Sequence, residues 1–229
     1  MYKKYDLSVN LTASDRSVLY AIMSGKKSIS AIENKRSKSW WKKIFLTQYY
    51  YFNSSNHILK NNLEALSLLN IKAKNIHYPV EVSEIATLNI KKKLQKFKVK
   101  DFLIFHPSTQ YKYKVYPTNQ RNNLLSRLND LGLSILVTGG SNSIDEEIKN
   151  QLPSFSNVID FIGETSLEEF FALSELSLGF IGMDTLNMHI AASQNKRIFA
   201  IFGPTNLKMW SPWSNQFQQA ATIDKPKQT

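Results

Sequence analysis

Short apolar runs alternate with amphipathic stretches along the second half of the chain. The apolar runs predict strands over 102–105, 133–137, 157–162, 176–181 and 197–202. The stretches between them carry apolar side chains at helical spacing and predict helices over 117–131, 144–152, 166–174 and 186–194. Strands that alternate with short helices are typical of a parallel, doubly wound sheet. We therefore predict an α/β fold.

The first half follows the same alternation less regularly. It predicts strands over 6–12 and 28–32 and helices over 14–23, 56–70 and 84–97. The basic and aromatic segment 33–56 shows no clear period and receives no assignment. The predicted organisation is a first domain at 1–80, a linker with an interdomain helix at 81–100, a second domain at 101–221 and a disordered tail at 222–229. The Lys-rich linker helix is expected to be solvated.

Two polar turns in the second domain carry the first chemical signal. One apolar run ends in Gly182-Met-Asp-Thr185 and leads into a helix, and the next ends in Gly203-Pro-Thr205. Turns that follow parallel strands lie at the carboxyl edge of the sheet, where ligands bind. The first turn is also a helix N-terminus, whose unpaired N–H groups and positive dipole end favour an anion. The segment therefore predicts a phosphate-bearing ligand and favours a nucleotide.

Charge is distributed unevenly along the chain. The protein has 29 Lys and Arg against 18 Asp and Glu, and residues 1–100 hold 19 of the basic but only 6 of the acidic residues. Such a basic half should attract an anionic partner, such as a membrane surface, a phosphorylated lipid or a nucleic acid. The alternative is a set of solvated lysine faces without a partner.

Composition excludes several classes of site. The absence of cysteine excludes disulfides, cysteine-ligated metals and thiol nucleophiles. No apolar run approaches the roughly 18 residues that span a bilayer. The N-terminus also lacks the apolar segment of a secretory signal. We therefore expect a cytoplasmic protein.

Five segments of the chain are more specific in combination than any one alone. They are Phe105-His-Pro-Ser-Thr-Gln-Tyr-Lys-Tyr-Lys-Val-Tyr-Pro117, Val137-Thr-Gly-Gly140, Gly163-Glu-Thr-Ser-Leu167, Gly182-Met-Asp-Thr-Leu-Asn-Met-His-Ile-Ala-Ala192, and Phe202-Gly-Pro-Thr205 with Trp210-Ser-Pro-Trp213. In this order they resemble the motifs of glycosyltransferase family 9, the ADP-heptose:lipopolysaccharide heptosyltransferases. Asn10-Leu-Thr12 and Trp41-Lys-Lys43 are similar to the third heptosyltransferase branch.

The resemblance covers residues 5–215 and implies a GT-B fold, in which two Rossmann-like domains face a cleft. The first domain would lie on the acceptor side, and the second would bind the nucleotide sugar. Relative to the family pattern, the chain is expected to be truncated at both ends, with an incomplete N-terminal domain. The family's catalytic base, an Asp in the first loop of that domain, has no counterpart here, and no motif equates Asp15 with it.

The resemblance assigns the donor site to the turn that begins at Gly182. The Thr185 hydroxyl and nearby backbone N–H groups would bind phosphate, and Asp184 would contact the sugar or, alternatively, cap the helix. One helical turn further, His189 would donate to a phosphate or be structural. Most family members have Gly where this chain has Leu186, whose side chain would restrict the approach of a phosphate.

Further residues receive roles from the same resemblance. Lys114 would neutralise the charge that builds on the leaving diphosphate, although without the resemblance it is an ordinary surface lysine. Ser108 and Thr109 would add hydroxyl donors. For an anionic acceptor, the guanidinium of Arg16 would be a suitable partner.

The second glycine turn and the segment after it would hold the nucleoside. Thr165-Ser-Leu-Glu168 is a capping-box pattern, and the resemblance adds adenine contacts from the backbone of Thr165 and Ser166. Asp145 or Glu146 would bind the ribose, or would simply begin a solvent-facing helix.

The implied function is an inverting glycosyltransferase that moves heptose from ADP-heptose to the lipopolysaccharide inner core, without an obligatory cofactor or metal. It would act in the cytoplasm, peripheral to the inner membrane, whose anionic surface suits the basic half. A truncated, non-catalytic family member that keeps a nucleotide-sugar site is the first alternative. The second is a basic nucleic-acid-binding module, but the sequence contains no recognised RNA- or DNA-binding motif, and we expect no nucleic-acid partner.

Overall fold

The computed structural model describes residues 5–34, 39–73, 80–213 and 218–222. The chain forms two compact units. The first comprises Met1–Ile76 with Lys208–Trp210, and the second comprises His77–Leu207 with Ser211–Thr229. No helix of the described ranges is long and apolar enough to cross a membrane.

The first unit is built on three parallel strands. They are β1 (Tyr5–Asn10), β2 (Gly25–Ile32) and β3 (Gln48–Tyr51), in the order β1-β2-β3. Its helices are α1 (Asp15–Ser24), α2 (Trp40–Phe45) and α3 (Ile58–Ser67). Successive residues of a strand point to opposite faces, and accordingly Ile29 and Ala31 enter one buried cluster while Ile32 enters another. The alternation along β2 therefore gives this sheet an apolar core on both faces.

The segment 33–56, which the sequence left unassigned, contributes α2 and β3. Tyr50 of β3 is buried in the same cluster as Ile29, whereas Tyr51 is exposed. The Nζ of Lys43 lies 5.9 Å from the ring centroid of Tyr49 and 5.4 Å from that of Tyr51. Elements this short show no readable period, so only their pairing with the rest of the sheet defines them.

The second unit is built on six parallel strands. They are β4 (Phe102–His106), β5 (Ser134–Gly139), β6 (Val158–Ile162), β7 (Gly179–Met183), β8 (Arg197–Phe202) and β9 (Gln218–Thr222). The helices that follow α3 along the chain are α4 (Glu84–Lys96), α5 (Thr118–Asn129), α6 (Ser143–Asn150), α7 (Leu167–Leu176), α8 (Leu186–Ser193) and the short α9 (Leu207–Trp210), and a 3₁₀ turn spans Lys112–Lys114. The alternation predicted from the sequence is present throughout.

The strand order of the second unit positions the site. The order is β6-β5-β4-β7-β8-β9, with every pair parallel. The chain leaves β4 toward β5 and β6 on one side and returns through β7, β8 and β9 on the other. Because the connections after β4 and β7 diverge, a crevice opens at the carboxyl edge between them, where doubly wound sheets bind their ligands.

Helix α4 belongs to the second unit, whereas the sequence predicted a solvated linker helix at 81–100. Its Ala86, Ile90 and Leu94 are buried, and the helix packs against α7. An ion pair of 3.0 Å joins Lys93 of α4 to Glu169 of α7. The many lysines of this segment made its narrow apolar stripe, at i, i+4 and i+8, difficult to recognise in the sequence. Such a stripe is enough to bury one face of a helix.

The end of the chain adds a strand that the sequence did not predict. Residues 218–222 form β9, which pairs with β8. Thr222, predicted to begin a disordered tail, is the last residue of this strand. The rest of the predicted tail, 223–229, lies outside the described residues.

Candidate functional site

A pocket of about 360 Å³ lies in the crevice of the second unit. Its walls come from the carboxyl ends of β4, β5 and β7 and from the segments that follow them. The lining residues are His106, Ser108, Thr109, Gln110, Tyr111, Lys114, Gly140, Asn142, Asp145, Asp184, Thr185, Leu186 and Asn187. Gly182 allows the close approach of β7 to β4, because a Cβ there would lie only 2.6 Å from the carbonyl oxygen of His106. The volume is in the range of roughly 300–1,000 Å³ that small-molecule sites occupy.

The N-terminus of α8 opens into this pocket. Its N-cap residue is Thr185, and no side chain caps the first turn. Asp184 is therefore not the N-cap residue that the sequence offered as an alternative. Its contact with the sugar stays a prediction. The Thr185 hydroxyl lies 3.3 Å from the carbonyl oxygen of Met183, a long hydrogen bond. Uncapped N–H groups and a helix dipole make this turn suitable for an anion.

Lys114 supplies the positive charge of the pocket. It ends the 3₁₀ turn after β4, and its Nζ donates to the Thr205 hydroxyl at 3.2 Å. The same Nζ lies 5.9 Å from the ring centroid of Tyr111. The Gly-Pro-Thr turn after β8 thus contributes by holding this lysine, although Thr205 itself does not line the pocket. An ammonium group held by a hydroxyl and a ring keeps its charge available for an anionic ligand.

Ser108 and Thr109 both line the pocket and are mostly buried. The Thr109 hydroxyl donates to the carbonyl oxygen of Tyr111 at 2.8 Å. A hydroxyl has a single proton, so Thr109 cannot donate to a phosphate while it makes this bond. Of the two predicted hydroxyl donors, Ser108 is the better placed to contact a ligand.

Asp145 lines the pocket but is mainly a capping residue. Its Oδ2 accepts from the backbone N–H of Asn142, and the Asn142 side chain accepts from the backbone of Asp145 in return. A Cβ on Gly139 or Gly140 would lie within 3.0 Å of this carboxylate, so the glycine pair makes room for it. The other oxygen, Oδ1, is buried and has no hydrogen-bond partner among the described residues. A ribose contact for Asp145 stays a prediction.

Four predicted residues lie outside the pocket lining. Ser166, not Thr165, caps α7, and it forms a capping box with Glu169, one residue later than the pattern Thr165–Glu168 predicted. The backbone of residue 166 has the extended conformation that an N-cap requires, and this decides which hydroxyl is used. His189 is half-buried on α8, and Arg16 is exposed in the first turn of α1.

The sequence missed a buried histidine at the floor of the pocket. His106 is 7% exposed, and its Nδ1 lies 3.0 Å from the Thr138 hydroxyl and 3.1 Å from the side-chain nitrogen of Asn187. The ring stacks on Phe180 and meets Phe170 edge-on. An amide N–H can donate only to an unprotonated ring nitrogen, so this network holds a neutral imidazole. The available signal was a histidine at the end of an apolar strand.

Burial lowers the pKa of His106 from 6.5 to about 4, against an opposing effect of Asp145. Between these two values the unfolded chain binds a proton that the folded chain excludes. Stability is therefore expected to fall as pH drops through this window, by about 3 kcal/mol in total. Urea denaturation at neutral and at mildly acidic pH will measure this loss for wild type and for His106→Gln. An equal pH dependence in the two proteins would contradict the assignment.

The pocket also contains polar groups to which the sequence assigned no role, namely Gln110, Asn142 and Asn187. Asn187 is the second residue of α8 and joins the open helix N-terminus to His106. Within the described part of the chain, no group of three or more histidine and acidic side chains is arranged to hold a metal ion. The chemistry that the pocket offers is recognition of an anion by a lysine, hydroxyl groups and backbone N–H groups.

Comparisons with known proteins identify relatives of this chain. Lipopolysaccharide heptosyltransferase 3 of Escherichia coli is 24% identical over 221 residues, which cover 94% of this chain and 64% of that protein. The chain therefore spans just under two thirds of the length of this curated relative.

Solved structures share the fold. The glycosyltransferase family 9 structure from Veillonella parvula DSM 2008 has a TM-score of 0.77 at 17% identity and covers 96% of this chain and 63% of its own. Escherichia coli heptosyltransferase WaaC with ADP has a TM-score of 0.68 at 16% identity, and ADP-heptose lps heptosyltransferase II of Escherichia coli has one of 0.67 at 18%. Both cover 96% of this chain, and 67% and 68% of their own chains. The fold is of the GT-B type.

The profile of glycosyltransferase family 9 (heptosyltransferase) matches residues 1–229, the entire sequence. This match agrees with the GT-B fold that the solved structures share. This chain belongs to glycosyltransferase family 9.

Proposed function

We propose that this chain binds ADP-heptose in the pocket of the second unit and takes part in an inverting transfer of heptose to the lipopolysaccharide inner core. One observation carries the proposal. The uncapped N-terminus of α8 and the ammonium group of Lys114 converge on one pocket at the strand-order switch. Family membership and the heptosyltransferase 3 relatives support the sugar and the acceptor class.

In the proposed reaction, an acceptor hydroxyl attacks the anomeric carbon of the donor from the face opposite ADP. The new glycosidic bond forms as the bond from that carbon to the diphosphate oxygen breaks, and the hydroxyl proton passes to a general base. Lys114 and the first turn of α8 stabilise the negative charge that develops on the leaving diphosphate. Thr185 adds its hydroxyl once it releases the long bond to Met183. Neither stabilising group requires a metal.

The remaining contacts of the proposed complex follow from position. Asp184 lies beside the α8 N-terminus and accepts hydrogen bonds from sugar hydroxyls. The adenosine occupies the side of the pocket formed by Gly140 and Asn142, at the end of β5. Arg16 binds the anionic acceptor. We further propose that the protein acts in the cytoplasm at the inner membrane surface.

A second candidate function rests on Leu186. This side chain is 59% exposed in the first turn of α8 and lines the pocket where a phosphate would approach the backbone. A chain with such an obstruction would keep a nucleotide-binding pocket without efficient transfer. Binding of ADP without turnover in the presence of donor and acceptor would select this non-catalytic candidate.

Calorimetric titration of the whole chain tests the proposal. We expect saturable binding of ADP that is stronger than binding of UDP or GDP. Replacing Asp184 with alanine should weaken ADP-heptose about tenfold or more, because a charged hydrogen-bond acceptor for the sugar is lost. The same variant should bind ADP with an affinity within about threefold of that of wild type, because ADP lacks the sugar.

The matched control is Asp130→Ala, which removes an exposed carboxylate at the end of α5, outside the pocket lining. This variant should bind ADP and ADP-heptose with wild-type affinity. A folded chain that does not bind ADP, or that binds UDP and GDP equally well, would overturn the proposed donor site.

A further inference from the structure

A second cavity of the second unit lies at the opposite edge of the sheet from the donor pocket. Its volume is about 490 Å³, and it is lined by Lys91, Leu94, Gln95, Lys98, Val99, Lys100, Phe102 and Leu176. Phe102 is the first residue of β4, so the cavity lies where the strand begins, whereas the donor pocket lies where the strands end. The two sites therefore share no lining residue.

The floor and the rim of this cavity differ in chemistry. Leu94, Val99 and Phe102 form a floor of buried apolar side chains. The rim carries three exposed lysines, Lys91, Lys98 and Lys100. Among the described residues that line the cavity none is acidic, and no described carboxylate forms an ion pair with these three ammonium groups. An apolar floor beneath a cationic rim is complementary to an amphiphile with an anionic head group.

The backbone at Lys98 supports a role for its side chain. Lys98 follows the end of α4 with a positive φ of 56°, and Val99 N–H closes the helix end on the carbonyl oxygen of Leu94. Glycine is the usual residue at this position, since a side chain is disfavoured in the left-handed region. The other described residues with positive φ are asparagine or glycine. Lysine therefore occupies a position at the rim where glycine would favour folding.

We propose that this cavity and its three lysines form a docking site for an anionic phospholipid at a bilayer surface. The head-group phosphate contacts the ammonium groups, and the apolar part of the lipid covers Leu94, Val99 and Phe102. The cluster is dense, because residues 91–100 contain six lysines. Each lysine near an anionic bilayer contributes about a fivefold gain in binding. The site is independent of the donor pocket and of the transfer reaction.

Lys98→Gly separates binding from folding. The substitution removes one rim charge and relieves the strained backbone, so the variant should unfold at the same or a higher temperature than wild type. Its binding to vesicles of phosphatidylcholine with phosphatidylglycerol should be about fivefold weaker. Co-sedimentation with these vesicles and thermal unfolding are the two measurements. Wild-type vesicle binding by Lys98→Gly would count against the proposal.

A triple variant tests the entire rim. Lys91→Gln, Lys98→Gly and Lys100→Gln together should weaken binding to the anionic vesicles by about 100-fold, if the three contributions add. The matched control replaces three exposed lysines of the first unit, Lys27, Lys60 and Lys72, with glutamine and so makes the same change in net charge. The control should stay within about threefold of wild type, since its lysines lie outside the cavity.

Two further arms identify the ligand. Vesicles of pure phosphatidylcholine should not bind, and glycerol phosphate at the same phosphate concentration should not compete, because it lacks the apolar part. Equal weakening in the rim and control variants would mean that overall charge, not this cavity, mediates binding. Competition by glycerol phosphate would point to a free phosphate site. Either result overturns the proposed lipid site.

Discussion

Replacing Lys42 with alanine is expected to lower the stability of the first unit by about 2–5 kcal/mol. The side chain is fully buried in α2, and its Nζ forms ion pairs of 2.7 Å with both Asp15 and Glu33. It also donates to the carbonyl oxygen of Ala13 at 2.6 Å. One ammonium group thus ties together the segments that follow β1 and β2. Its removal leaves a cavity and takes the cationic partner from two solvent-accessible carboxylates.

The charges of this cluster are mutually stabilised. Burial alone would lower the pKa of Lys42, but hydrogen bonds with Asp15 and Glu33 outweigh burial and hold that pKa above its ordinary value. Burial alone would raise the pKa of Glu33, but the hydrogen bonds that it accepts, of which the bond from Lys42 has the largest effect, outweigh burial and hold that pKa below its ordinary value. The stabilisation by Glu33 is therefore present above its ordinary pKa of 4.5 and is lost as pH falls through the lowered value.

Urea denaturation of wild type and Lys42→Ala, followed by tryptophan fluorescence, will measure the effect. The difference between the two proteins should be largest near neutral pH and should shrink in acid, as Glu33 becomes protonated. Lys43→Ala is the matched control on the same helix. Within the described ranges, the ammonium group of Lys43 forms no ion pair and lies over the rings of Tyr49 and Tyr51, so this substitution should cost about 1 kcal/mol or less. A similar small loss for Lys42→Ala would show that the buried ammonium group and its ion pairs contribute little.

Lys114→Ala is expected to weaken ADP binding by about 10- to 100-fold, the value of a charge-assisted hydrogen bond to a phosphate. Adenosine has no phosphate, so its affinity should change by no more than about threefold. If the chain transfers heptose, turnover should fall by about 10²–10³, because the lysine acts on charge that develops as the diphosphate leaves. The pattern would assign Lys114 to the phosphates and not to the nucleoside.

Lys112→Ala provides the control for this experiment. Lys112 lies in the same 3₁₀ turn, but its Nζ pairs with Glu147 at 2.8 Å and it does not line the pocket. It should leave ADP binding almost unchanged. Both variants are titrated with ADP and with adenosine. An equal loss of ADP affinity in the two variants would show that overall surface charge, and not Lys114 itself, determines binding.

The period of apolar residues predicted the second unit well because its strands and helices are long enough to show it. It failed where elements are short or where lysines dilute the apolar stripe. The four residues of β3 and the six of α2 carry no period, and the buried face of α4 depends on Ala86, Ile90 and Leu94 among many polar neighbours. Pairing and packing partners elsewhere in the chain define these elements.

The site also contains residues that the sequence identified and one that only the structure revealed. Asp184 and Thr185 stand in the turn after a predicted strand, and Lys114 was identified by the family resemblance. The structure places all three around one pocket. His106 is the last residue of β4, and its significance depends on Thr138 and Asn187, which are 32 and 81 positions away. No local pattern reports such partners, since their proximity follows from the order of strands in the sheet.

By itself, the sequence determined the alternation of strands and helices, the parallel character of the sheets, the family, and the position of the turns to which we assign the proposed donor site. These follow from local periodicity and from motifs within a few residues. Only the tertiary structure decided that β4 lies beside β7, that Ser166 and not Thr165 caps α7, and that Asp145 is buried in a capping box. It also placed three unpaired lysines around an apolar cavity. These features depend on contacts between distant segments, whose free energies are set by packing and burial of the whole unit.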